Sequence, residues 1–250
     1  VFQPEKVRKE TDEILKYNPD IIITCAYGQI IPSVLLDTPK YKAVNVHASL
    51  LPKLRGGSPL HRCIIDGYSE TGVTIMYMAP GMDDGDIITQ KSIKIEDTDN
   101  VGTIHDKLSI LGRNLLLETL PSIFNGTNGR TRQDENEVTF AYNIKREEEK
   151  LDFNEKAREV FNHIRGMYPF PVSYTTLNGE IIKICESKIG TKTSGTVGEI
   201  ISIYDNGIGV KCSDTEIIIT KLKPSGKKEM MARDFINGRG KDKLLGEKLC

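Results

Sequence analysis

The chain has 250 residues, a formal charge of −1 at pH 7 and 38% hydrophobic residues. That length suits one large domain or two ordinary ones with cores of their own, and the balanced charge excludes a whole-molecule field for nucleic acid or membrane, so any such attraction must come from a local patch. Five scattered cysteines (Cys25, Cys63, Cys185, Cys212, Cys250) without a C-x-x-C pair argue against a disulfide framework or a zinc knuckle, no apolar run reaches bilayer length, and VFQPEKVRKE is too charged for a signal peptide.

In chain order, Glu5 to Tyr17 places Val7, Ile14 and Leu15 at helical spacing among charged residues, and Asn18-Pro19-Asp20 stops that helix. The run Ile21 to Cys25 is β-branched and apolar, the pattern of a strand buried on both faces in a parallel sheet. A short helical piece (Ser33 to Leu36), a strand from Lys42 to His47, a basic glycine-containing loop, a helix from Pro59 to Asp66 and a strand from Thr71 to Met78 follow. This alternation predicts an α/β fold with an open, mostly parallel, Rossmann-like sheet. IIT and KSIKI read as further β segments, and Thr103 to Phe124 as a long helix with Ile104, Leu108, Leu111, Leu115, Leu116 and Ile123 on its apolar positions.

Composition changes near Thr127. NGTNGRTRQDENEVT and KREEEK are polar and turn-rich, which predicts a linker. A short helix (Glu155 to Arg165), the turn MYPFPVSY and the runs EIIKICESK, GTVGEIISIY, GIGVKC and EIIITKLK then predict a small β-barrel. The division expected is 1–130 as a first domain, 131–152 as linker and 153–250 as the barrel.

Residues two apart on a strand share a face, so Asn45 and His47 project together, at the carboxyl end of their strand, where open α/β sheets bind ligands. The pair by itself fits equally a hydrogen-bonded core histidine beside a turn-capping amide. A second constellation, Gly81-Met82-Asp83-Asp84-Gly85-Asp86, follows the Thr71 strand and lacks the spacing of an EF-hand calcium loop. Since the turn follows a neighbouring strand of the sheet, one of its carboxylates is expected to reach His47; in general a carboxylate beside an imidazole fixes the ring and favours its protonated form. An amide, an imidazole and a carboxylate converging on a cleft suit acyl transfer to a substrate that brings its own amine. Ser49 and Cys63 stand in no recognised nucleophile motif. His61, His105 and His163 have no second ligand at metal spacing and read as structural or surface residues.

The segments AYGQIIP, VNVHASLLPKLRGGSPLHR, TGVTIMYMAPGMDDGDI, RGMYPFPVSY and KPSGKKEM resemble the folate-dependent formyltransferases, and within them the branch acting on methionyl-tRNA. The resemblance runs from about Val1 to Gly240. It implies transfer of a formyl group from 10-formyltetrahydrofolate to the α-amino group of initiator methionyl-tRNA, in translation initiation, with no metal. It places the catalytic residues at Asn45, His47 and Asp83, and the folate loop at Ser49, Leu50, Leu51 and Pro52. Asn45 and His47 would hold the formyl oxygen as it becomes an oxyanion, and Asp83 would relay a proton. The loop reads K-L-R-G-G-S-P where many members have R-W-R-G-A-A-P. The family has a strand, helix and strand before VFQP, and a chain starting at Val1 is expected to be a fragment lacking them.

From Lys221 to Lys243 eight Lys or Arg stand against three acids, and no aromatic ladder interleaves the charges. This suits sequence-independent contact with an RNA backbone, or simply a solvated face. The resemblance implies a tRNA-binding second domain; a monomer is expected, and the scattered cysteines with no apolar span suit a cytoplasmic protein of bacterial type, or one of an organelle matrix, with no membrane partner. Two alternatives stay open: a relative using the same donor on another amine, such as a sugar nucleotide, or on water; and a non-catalytic RNA-binding module.

Overall fold

The computed structural model describes residues 1–250. The chain forms two compact units, one of residues 1–60, 69–95 and 105–143, the other of 61–68, 96–104 and 144–250.

In chain order the first elements are a 3-10 turn (Val7–Lys9), helix α1 (Thr11–Leu15), strand β1 (Ile22–Cys25), helix α2 (Ser33–Asp37), strand β2 (Ala43–His47), helix α3 (Pro59–Ile65), strands β3 (Glu70–Tyr77) and β4 (Ile87–Lys94), and helix α4 (Val101–Asn125). The amino-terminal helix expected over Glu5 to Tyr17 is broken between the 3-10 turn and α1 at Glu10, which takes φ −127°. The helix expected from Thr103 begins two residues earlier, because Asn100 and Thr103 exchange side-chain-to-backbone hydrogen bonds of 3.1 and 3.0 Å across its first turn.

The first sheet has the order β1-β2-β3-β4, with β1 parallel to β2 and the other two pairings antiparallel. This corrects the mostly parallel sheet expected from sequence. A parallel crossover needs a dozen or more residues, and the nine between Tyr77 and Ile87 hold no helix, so β4 must return beside β3 in the opposite sense. The strand expected to be buried on both faces, β1, is an edge strand with Ile23 and Cys25 exposed. The antiparallel centre is better covered: Val73, Thr74, Ile75 and Met76 of β3 are all buried. Helix α4 buries Leu108, Gly112, Leu115, Thr119 and Ile123 at helical spacing. At Gly112 a Cβ would lie 3.0 Å from a Val46 methyl, so the missing side chain sets how closely the helix approaches β2.

In the second unit come helix α5 (Ala157–Met167), strands β5 (Tyr174–Leu177), β6 (Glu180–Ile189), β7 (Ile200–Tyr204), β8 (Gly207–Lys211), β9 (Glu216–Pro224) and β10 (Met230–Met231), and helices α6 (Ala232–Arg239) and α7 (Lys241–Leu244). The sheet is antiparallel, of order β5-β6-β9-β8-β7, with β10 on β9. Its strands do not close into the expected barrel, since no ladder joins β5 to β7. Instead the last residues bridge both ends, Leu249 to Leu177 and Lys248 to Glu199. The core collects Val160 and Ile164 of α5, Ile182 and Ile184 of β6, Val210 of β8, Ile217 and Ile219 of β9, and Phe235 and Ile236 of α6. No helix is long and apolar enough to cross a membrane.

Candidate active site

The site is built at the carboxyl end of β2, in the first unit. Thr24 pairs with Asn45 across β1–β2, and His47 lies opposite Thr74, which lies opposite Gln90. Cross-strand neighbours on one face are within side-chain reach, and the hydrogen bonds follow these rows. Thr24 Oγ1 lies 2.9 Å from Asn45 Oδ1, with Met78 Sδ (3.2 Å) and the Val44 carbonyl (3.4 Å) also in reach of its one proton; with Oδ1 toward the hydroxyl, the Asn45 amide Nδ2 is the end available to donate. Thr74 Oγ1 donates to the Ser49 carbonyl (2.6 Å) and accepts from the Leu51 amide (3.1 Å) and from Gln90 Nε2 (2.8 Å), while Gln90 Nε2 also reaches the Leu51 carbonyl (2.8 Å). Ser49 Oγ donates to the Lys53 carbonyl at 2.7 Å. The Ser49-Leu50-Leu51-Pro52 loop is thus stitched to β3 and β4, with Ser49 and Leu51 buried, Leu50 and Pro52 half-buried, and a cis peptide between Leu51 and Pro52.

His47 is 6% exposed. Its Nε2 lies 3.1 Å from the Leu54 carbonyl oxygen, which can only accept, so the Nε2 proton is fixed there. That leaves Nδ1 facing Asp83 Oδ2 at 3.7 Å, longer than a hydrogen bond but within ion-pair reach, as ligand-free catalytic pairs often are. Asp83 Oδ2 also accepts from the Gly56 amide at 2.9 Å. The turn carrying Asp83 is tight. Asp83 itself takes φ +49°, a left-handed conformation that Asp tolerates better than most residues, and a Cβ on Gly85 would collide with the Tyr77 carbonyl oxygen. Asp84 is exposed, and Asp86 pairs with Arg130 at 2.9 Å.

The structure therefore brings His47 and Asp83 together, seats Asn45 two residues before His47 on the same strand, and uses Ser49 to Pro52 as the adjoining loop. Asn45 presents an uncommitted N–H, whereas one nitrogen of His47 is committed to Leu54 and the other faces a carboxylate. Sequence reasoning missed Thr24, Gln90, Arg55 and Gln133. Gln133 comes from an unexpected quarter, because residues 131–141, read as linker, pair with the site loops. Thr131 exchanges backbone hydrogen bonds with Ile87 (2.8 and 2.9 Å), and the Arg55 amide and carbonyl bond to Thr139 and Ala141 (2.9 and 2.7 Å). Arg55, 4% exposed, donates through Nε to Gln133 Oε1 at 3.0 Å and through its terminal nitrogens to Glu135. Gln133 Nε2 donates to the carbonyls of Asp83 and Gly85, both at 2.8 Å. The signal for Arg55 is its place in the basic glycine-containing loop, and that for Gln133 is only a Gln amid turn-rich polar residues.

Of the remaining histidines, His61 bonds through Nδ1 to the Gly166 carbonyl at 2.9 Å, His105 is exposed beside Asp106, and His163 is half-buried with its Nε2 unpartnered. Burial pushes the pKa of both His61 and His163 down. A cavity of about 310 Å³ in the second unit is lined by Arg62, Glu148, Glu159, His163 and Met167, and no residue of the β2 site borders it. No cluster of three or more His, Cys, Asp or Glu side chains is placed to hold a metal ion.

An amide donor, an imidazole–carboxylate pair and a hydrogen-bonded loop at the end of one strand form the kind of centre that moves an acyl group to an amine. Residues 2–120 match the formyl transferase family and residues 143–240 match the formyl transferase C-terminal domain, and the chain belongs to this family. Within it, the chain is 50% identical to the methionyl-tRNA formyltransferase of Bacillus velezensis, over 96% of this chain and 77% of that protein. The corresponding protein of Staphylococcus aureus is 48% identical over 100% of this chain and 81% of its own length. Among solved structures, HypX from Aquifex aeolicus in complex with tetrahydrofolic acid superposes with a TM-score of 0.70 at 18% identity, covering 93% of this chain and 41% of that one. The sugar 3N-formyl transferase WlaRD superposes with a TM-score of 0.64 at 22% identity, covering 83% and 73%. At such identities these likenesses show the fold alone.

Proposed function

We propose that the protein transfers a formyl group from 10-formyltetrahydrofolate to the α-amino group of initiator methionyl-tRNA. The observation that carries this reading is the Asn45, His47 and Asp83 arrangement in a chain half identical, over 96% of its length, to a methionyl-tRNA formyltransferase. The donor supplies an activated formyl carbon. Asn45 Nδ2, oriented by Thr24, donates to the formyl oxygen as negative charge develops there, and removing such a donor typically costs on the order of a hundredfold or more in rate. The α-amino group has a reference pKa near 8, so a neutral fraction is present at physiological pH without a strong base. When its nitrogen bonds to the formyl carbon it must shed a proton. Asp83, with the Nδ1 edge of His47 beside it, takes that proton and returns it to the folate nitrogen as the carbon–nitrogen bond to the donor breaks. Ser49 to Pro52 hold the folate through their backbone.

On this reading residues 1–130 carry the chemistry, 131–152 connect the domains while bracing the site loops, and 153–250 bind tRNA. Support for the last role is the exposure of Lys223, Lys227, Lys228, Arg233, Lys241 and Lys243, whereas Lys221 and Arg239 are engaged with Glu186, Glu229 and Glu180. The protein acts as a cytoplasmic monomer. The test is an assay of the full-length protein with 10-formyltetrahydrofolate and, separately, initiator methionyl-tRNA, an elongator methionyl-tRNA and an amino-sugar nucleotide, with His47→Ala alongside. Formylation of the initiator tRNA, lost in the variant with tRNA affinity retained, is expected. Formylation of the sugar nucleotide alone, or tRNA binding without turnover in the wild type, would overturn the reading.

A further inference from the structure

We infer that Gln133 is a positioning residue for the formyl transfer: its side-chain amide sets the place of the Asp83 carboxylate beside His47. The inference rests on the reading of Asp83 given above. Gln133 is 4% exposed, and both ends of its amide are hydrogen-bonded. Its orientation is forced by its partners. Arg55 Nε, 3.0 Å from Oε1, can only donate, and the carbonyls of Asp83 and Gly85, each 2.8 Å from Nε2, can only accept, so the reversed amide would lose all three bonds.

The two carbonyls belong to a turn with little freedom of its own. Asp83 lies at φ +49°, and the turn presses against the Tyr77 carbonyl at Gly85. One amide therefore grips the Asp83 turn from two points. Through Arg55 it links that turn to the loop whose Leu54 carbonyl fixes His47 Nε2 and whose Gly56 amide donates to Asp83 Oδ2. Both members of the His47–Asp83 pair are thus referred to the same side chain, 50 residues further along the chain from Asp83. Backbone pairing of Thr131 with Ile87 delivers Gln133 to this place.

The test uses Gln133→Met, which keeps the length and removes both polar ends, and Gln133→Glu, which keeps an acceptor for Arg55 and removes the donor to the two carbonyls. In the full-length protein we expect kcat to fall by about tenfold to a hundredfold in both, as for misplacement of a reacting group, with KM for donor and for tRNA within about twofold of wild type. We also expect the Gly56 amide, whose hydrogen bond runs to Asp83 Oδ2, to exchange hydrogen about tenfold faster or more, while the β3 amides keep their protection. Gln133→Glu separates the roles, because a contribution made only through Arg55 would survive in it. Wild-type kcat in either variant, or exchange raised evenly across the unit, would overturn the inference. If the wild type turned over no methionyl-tRNA, the reading of the function would fail, and the exchange of the Gly56 amide would still decide whether Gln133 places Asp83.

Discussion

The orientation of the Asn45 amide depends on one hydroxyl, which makes Thr24→Val a sharp test of the mechanism. The two side chains have nearly the same shape, so the substitution deletes the 2.9 Å hydrogen bond to Asn45 Oδ1 with little change in packing at a buried position. A neutral hydrogen bond of this kind contributes about 1 kcal/mol. If it serves to keep Nδ2 aimed at the formyl oxygen, its loss raises the barrier by that amount, about fivefold in kcat. Asn45→Ala removes the donor itself and is expected to cost about a hundredfold to a thousandfold. The decisive assay is the double-mutant cycle, read as kcat for formylation of initiator methionyl-tRNA under saturating donor. Thr24 acts through Asn45, so Thr24→Val should change nothing further once Asn45 is alanine. A fivefold loss that persisted in the Asn45→Ala background would show that Thr24 works by another route, and the assignment of Nδ2 as the oxyanion donor would lose its support.

Gly85→Ala forces a Cβ against the Tyr77 carbonyl oxygen and must displace the Asp83 turn, so kcat should fall by about tenfold or more with KM for tRNA retained; an unchanged kcat would show that the turn need not be so close. Acidification should weaken the second unit. Burial lowers the pKa of His61 and His163 in the folded protein, so below the unfolded value near 6.5 the unfolded chain binds more protons and stability declines as the pH falls; His163→Gln should flatten that slope in denaturant titrations at pH 6.5 and 5.5. Replacing exposed Lys227 and Lys228 by Ala should raise KM for tRNA and reduce the slope of log affinity against log salt by about 1 for each phosphate-binding lysine removed, with KM for the folate donor unchanged.

Much of the local structure was legible. The polar pair Asn45 and His47 at i and i+2, followed by Pro52, marked a strand end with two side chains on one face, and β2 does end at His47. Seven-residue stretches of α4 repeat their apolar positions clearly enough to give the helix within two residues at its start. These features depend on backbone periodicity, which neighbouring residues impose. The direction of β4 was misread because alternating helices and strands suggest crossovers, whereas the short connection after Tyr77 permits only an antiparallel return; that of β3 was misread because the connection through α3 is long enough for either sense. The closing of the second sheet was misread for a related reason: short, regularly spaced strands specify their neighbours, and whether the two end strands meet depends on what lies between them, here Lys248 to Cys250.

What holds the candidate site lay beyond periodicity. Thr24 is 21 residues from Asn45, Asp83 is 27 from Gly56, and Gln133 is 78 from Arg55. A Thr in a strand, or a Gln in a charged, turn-rich segment, looks alike whether it meets solvent or a buried carbonyl. By itself the sequence determined that Asn45 and His47 stand on one face of β2, because that follows from the two-residue repeat of a strand, and it offered them with Asp83 as candidates for the chemistry. Only the tertiary structure decided which end of the Asn45 amide faces outward, which nitrogen of His47 meets Asp83, and that residues 131–141 brace both loops, because hydrogen-bond direction is set by partners that folding alone brings together.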